Sequence, residues 1–226
     1  MTPVSSRVPH NVNMESVRAT GVWGGRTSAE RNAERRVKLI EAATDIWTEE
    51  GWAAVSMRGV CSRTSLNDRY FYEHFADRDE LLAAVWDGLR DSLIERLLAV
   101  VAEDPQRHPI ETLREAISVV VESISTEKGW AQIMFTQHVG CAILEERRTA
   151  LLHQSTALLV ESAQSYLAEG ADETGLRMDA LIGIGGFTEL VTAWQSGLVD
   201  VDANQIIDHS SRVGATLAQA YFTPQD

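Results

Sequence analysis

The sequence predicts an all-α protein, with a helix-turn-helix inside a small N-terminal three-helix unit and a larger helical domain behind it. Three observations lead there. Apolar residues recur at three- and four-residue steps from Ala33 onward. No stretch keeps the two-residue alternation of a strand for long. Between Gly51 and Leu82 the breakers and caps are spaced for two short helices, a tight turn between them, and a long helix that opens with charge.

The elements follow in order. Residues 1–30, with Pro3, Pro9, Gly21, Gly24 and Gly25 and no usable period, read as a mobile tail. Leu39, Ile40, Ala43, Ile46 and Trp47 then form one apolar stripe that stops at Gly51. Ser56 caps a short bracing helix over 56–63, whose inward residues are Val60 and Cys61. Thr64, Ser65 and Leu66 make the turn, and Asn67 caps a third helix over 67–73. Asp77 caps the fourth, where Leu81, Leu82, Val85, Leu89, Leu93, Leu97 and Val101 form a ladder. Beyond Pro105 and Pro109, helical stretches are expected over 110–126, 128–139, 142–169, 174–197 and 203–221. The resulting division is tail 1–30, helix-turn-helix unit 31–77 and helical domain 78–226.

Composition narrows the function classes. The 226 residues carry a net charge of −13, which does not suit a binder of phosphate backbones. The distribution is uneven, however. Residues 1–80 hold 11 Lys and Arg against 12 Asp and Glu, while the remainder holds 9 against 21. Near-neutrality in one part and acidity in the other point to two units with different tasks. The longest apolar run, Ala180–Phe187, falls far short of a membrane span, and no apolar signal core opens the chain. A cytoplasmic protein with no membrane partner is expected. Cys61 and Cys141 lack metal-ligand spacing and read as reduced core thiols. No P-loop, dinucleotide fingerprint, nucleophile elbow or paired metal ligands appear, so neither an enzyme nor a cofactor is expected.

In a helix-turn-helix, a first helix braces a second whose exposed face enters the DNA major groove. Leu66, Phe71 and Phe75 are spaced to anchor that second helix. Asn67, Asp68, Arg69, Tyr70, Tyr72 and His74 are then left outside. Arg69 suits guanine, Asn67 adenine, and Asp68 the amino group of cytosine. Tyr72 and His74 can donate to phosphates, as can Arg78 at the next helix start and Ser56 with Arg58 at the brace.

The run from Arg36 to Leu82 resembles the DNA-binding region of the TetR family of bacterial transcriptional regulators. The matching residues are Gly51, the Ser56-Met57-Arg58-Gly59-Val60 run, Tyr72-x-His74-Phe75, and Arg78 followed by Leu81-Leu82. The chain departs from the family habit at Ser65, where glycine is usual, at Cys61, and at Arg69 and Tyr70, where small residues are usual. The resemblance implies that Ser56, Arg58, Tyr72, His74 and Arg78 touch phosphate and that residues 67–70 read bases. It also implies that the later helices bind a small-molecule effector and pair two copies.

The sequence supports pairing independently: residues 174–197 form a wide apolar face interrupted by Gly183, Gly185, Gly186 and Gly197. With the final helix, this predicts a four-helix bundle in a homodimer, using Ile184, Leu190, Val191, Trp194, Val213 and Leu217. Bulky residues suggest an effector pocket at Trp86, Leu89, Leu93, Trp130, Met134, Phe135, His138, Leu152 and Phe187. Few cations fall among them, which favours a lipophilic or aromatic effector. The expected function is a homodimeric regulator, a repressor released from a double-stranded DNA operator by such an effector. A helical adaptor without DNA binding, or an all-α enzyme, is the alternative.

Overall fold

The computed structural model describes residues 27–127, 129–136 and 138–222, and the expected N-terminal tail lies almost wholly outside them. The described residues are all-α: α1 (Ser28–Glu50), α2 (Met57–Thr64), α3 (Asp68–Tyr72), α4 (Arg78–Glu103), α5 (Pro109–Thr126), α6 (Trp130–Met134), α7 (Ala142–Ala163), α8 (Glu173–Gln195) and α9 (Ala203–Ala218). Short 3₁₀ turns occupy Trp52–Ala54 and Gln164–Tyr166.

Side-chain caps set most helix starts. Helix α1 begins ahead of the expected Ala33 because Thr27 and Glu30 form a reciprocal capping box. Ser56, Asn67 and Asp77 cap α2, α3 and α4 as the sequence predicts, each accepting from a backbone N–H three residues on. A second capping box, Asp202 with Gln205, opens α9.

The expected helix over 128–139 shrinks to the five residues of α6. Gly129 enters it in a left-handed conformation at φ 80°, and Cys141 starts α7 after an irregular link. A side chain at Gly129 would meet the Thr48 hydroxyl, so α1 and α6 approach closely at this point. Two later helices are also shorter than expected. Helix α7 ends at Ala163, and α9 stops at Ala218 so that Phe222 can pair with Leu167 in an isolated bridge. Tyr221 donates its hydroxyl to Asp179 Oδ2 at 2.6 Å, tying this end of the chain to α8.

One core runs through both units. Leu39, Trp47, Val60, Phe71, Phe75, Leu81 and Leu82 continue into Trp86, Trp130, Ile133, Met134, Leu144 and Val191. The long helix α4 is the shared element, packing on α1 at one end and on α5, α6 and α7 beyond it. Helices α5, α8 and α9 close a second cluster around Ile117, Val121, Ile206 and Ile207. The helix-turn-helix unit is therefore welded to the body of the molecule by apolar contact.

Candidate nucleic-acid interface and regulatory junction

Helix α3 has only five residues, so its orientation depends on anchors at both ends. Ser65 ends α2 in the left-handed region at φ 56°, and the following Leu66 N–H returns to the Cys61 carbonyl at 3.1 Å. The turn forms with serine, whose Cβ costs about 1 kcal/mol in this region. Phe71 and Phe75 are almost completely buried, with their rings packed at a tilt and their centroids 5.8 Å apart, fixing the inner face. The outer face is left to Asp68, Arg69 and Tyr72, all exposed, with the Arg69 side chain 83% accessible. Ser56 and Arg58 are also exposed at the start of the brace.

Several of the expected DNA contacts have other work, as Ser56 does in capping α2. Asn67 uses its Oδ1 to accept the Tyr70 N–H at 3.3 Å, so it caps α3 as well as facing outward. Tyr70 is half-buried beneath the Arg35 guanidinium, 4.5 Å from its ring centroid. His74 has its Nε2 buried without a partner, which turns that atom away from any phosphate. Burial and the nearby Arg35 push its pKa down, keeping the ring neutral at pH 7.

Arg78 differs most from expectation. Its Nε donates to the Val55 carbonyl at 2.5 Å and its Nη2 to the Trp52 carbonyl at 2.6 Å, while the guanidinium lies 5.3 Å from the Trp52 ring. The residue staples the start of α4 to the turn that precedes α2. Sequence spacing could not reveal this, because the two accepting carbonyls lie more than twenty residues upstream.

The expected pocket residues largely come together. Trp86, Leu93, Trp130 and Met134 are buried in the main core, with Leu89, Phe135 and Phe187 packed against it. Leu152 is half-buried on α7. The indole N–H groups of Trp86 and Trp130 are buried without partners, an unfavourable state that a ligand acceptor would relieve. Two open grooves lie nearby rather than among these side chains, one of about 420 Å³ beside Thr48, Gly129 and Gln132.

His138 stands apart from that cluster. It is 2% exposed and meets Trp47 edge-on at 5.3 Å and Trp52 at 6.3 Å, so it plugs the junction between the link after α6 and the reader unit. Burial pushes its pKa down to about 4, Arg148 adds to the shift, and Glu145 opposes it. The unfolded chain takes up this proton near its ordinary pKa of about 6.5, so the stability it carries is intact above that pH and is lost as pH falls toward 4. His138→Phe is expected to remove on the order of 2 kcal/mol of the wild-type loss between pH 7 and pH 4.5. Urea unfolding of both proteins at the two pH values measures it.

Most of the residues expected to pair two copies lie partly or wholly inside the chain. Val191 is fully buried, and Leu190 and Trp194 pack inside the chain, with the Trp194 indole donating to the Val201 carbonyl at 2.8 Å. Val191 offers no outer surface, and Leu190 and Trp194 offer only part of theirs. Ile184 is half-buried, and Leu217 lies 3.5 Å from the Cβ position of Gly183, so Leu217 helps α8 pack on α9 within the chain. The exposed apolar line runs through Met178, Ile182 and Gly186 on α8, with Val213 exposed on α9. Its four-residue spacing from Met178 is present in the sequence but masked by an α8 that is apolar nearly all round.

Residues 39–85 match the model for bacterial regulatory proteins of the tetR family. An HTH-type transcriptional repressor of Mycobacterium tuberculosis is 37% identical over 59 residues, which are 26% of this chain and 31% of that protein. The chain thus spans about a third of the length of that relative. A transcriptional regulator from Rhodococcus sp. superposes with a TM-score of 0.69 at 18% identity, covering 84% of this chain and 99% of that one. SmeT, the repressor of a multidrug efflux pump in Stenotrophomonas maltophilia, superposes in its complex with triclosan at a TM-score of 0.65 and 19% identity, over 84% and 92% of the two chains.

Proposed function

We propose that this chain, which belongs to the TetR family of bacterial regulatory proteins, is a homodimeric transcriptional repressor whose operator binding is relieved by a small lipophilic or aromatic effector. The observation that carries DNA reading is the outer face of α3. Asp68, Arg69 and Tyr72 stand exposed there on a helix whose inner face is locked by Phe71 and Phe75. Ser56 and Arg58 flank it as phosphate contacts, and two such faces in a dimer address two half-sites of a pseudo-palindrome.

The pairing surface is the Met178–Ile182–Gly186 line of α8 with Val213 of α9, an apolar strip that a second copy would cover. Support for an effector comes from the unpartnered indoles of Trp86 and Trp130, set in an apolar wall that shares α4 with the reader unit. A ligand that prefers one spacing of the two readers lowers operator affinity by its differential affinity for the two arrangements. The role is regulatory and cytoplasmic, with no chemistry of its own.

Selection of binding sites from random duplex DNA, followed by gel shift, tests the reading. An enriched inverted repeat is expected, and enrichment of no sequence at moderate salt overturns it. On the selected site, Arg58→Ala is expected to weaken binding equally for all sequences and to reduce the salt slope by about 1 for each phosphate that the arginine no longer neutralises. Affinities at several salt concentrations measure that slope.

A further inference from the structure

Glu73 closes α3 and sits between two arginines. Its Oε1 accepts from Arg69 Nε at 3.1 Å, one helical turn back on the exposed face. Its Oε2 faces Arg35 Nη2 on α1 at 3.9 Å, and the Arg35 guanidinium covers the Tyr70 ring. One carboxylate therefore separates two cations of the same surface. Arg35 is drawn inward over Tyr70, while Arg69 is held outward by the nitrogen nearest its stem.

We propose that Glu73 is a positioning residue for base recognition, holding Arg69 by Nε so that Nη1 and Nη2 face a guanine in the major groove. The inference rests on the DNA-reading function above and names the base class that function addresses. Two parallel N–H donors match the O6 and N7 acceptors of guanine, and a fixed guanidinium fork loses less conformational freedom on binding than a free one. In water the exposed Arg69–Glu73 pair contributes little to stability. In a dehydrated groove the same bond decides whether Arg69 points at a base or swings to the nearest phosphate. The family habit of small residues at 69 and 70 gives no such device, and this chain supplies Arg69, Tyr70 and their carboxylate together.

The test uses the full-length protein and the site selected by the wild type, with each base pair of a half-site varied in turn in competition gel shifts. Arg69→Ala is expected to cut the preference for G·C at one position from about tenfold to less than threefold. Glu73→Ala is expected to flatten that same position, and Glu73→Gln, which keeps an acceptor but no charge, to flatten it partly. Preferences elsewhere should stay as in the wild type, and the salt slope of the Glu73 variants should rise by no more than about 1 as the freed Arg69 takes up a phosphate, whereas general damage to α3 would weaken every position. If Glu73→Ala does not bind at all, Glu73→Gln decides alone. The proposal is overturned if the Glu73 variants keep the wild-type preference at the Arg69 position, or if Arg69→Ala flattens none. A wild type that enriches no sequence overturns the DNA-reading function itself, and this inference with it.

Discussion

Ile182→Glu is expected to yield a folded monomer that binds the selected site at least about a hundredfold more weakly than the dimer proposed for the wild type. Ile182 is 64% exposed, so a carboxylate there costs the isolated chain little. Across a two-fold pairing surface the same change sets two carboxylates in an apolar strip, each stripped of water and lacking a cation. The drop in DNA binding then follows from linkage of two half-sites. Once one reader has bound, its tethered partner sees the second half-site at a high effective concentration, an advantage on the order of 10²–10⁴ that a monomer lacks. Sedimentation velocity and gel shift on one preparation check both outcomes. A variant that remains dimeric would move the pairing surface elsewhere.

Arg78→Ala is expected to destabilise the protein by about 2–4 kcal/mol, because it leaves the Val55 and Trp52 carbonyls without their donor and strips the cation from Trp52. Arg78→Lys should recover only part, since an ammonium cannot reproduce the two-pronged geometry of a guanidinium. Urea unfolding measures the effect. A phosphate-contact role predicts the opposite pattern, with stability unchanged, a lower salt slope, and rescue by lysine.

The helical class and the N-terminal motif are legible in the sequence because they depend on local chemistry. Ser56, Asn67 and Asp77 cap the helices they should, and Phe71 and Phe75 are the anchors their spacing demands. Thr27 is a cap that periodicity does not announce, because the apolar stripe of α1 begins several residues later. The roles of Arg78 and His74 are not legible. Whether a cation points out to phosphate or in to a carbonyl depends on segments far away in the chain, and periodicity carries no record of them. The same limit applies to α8. Its apolar residues all ask for cover, but which of them face α9 and which face outward depends on helix rotation, and that is decided by packing. The late start of α6 follows from Gly129, where a left-handed backbone and the close approach of Thr48 each exclude a side chain.

That approach of α1 to α6 has a consequence for building with this protein. The simplest chimaera would exchange α1 through α3 between bodies as a cassette. Here a cut at the start of α4 would part Thr48 from Gly129, and Trp47 and Trp52 from His138. A chimaera joined there would present a foreign surface to the plug. The transferable module is α1 through α3 together with Gly129 and His138, which seat against it, an inheritance unit that is contiguous in space and discontinuous in the gene.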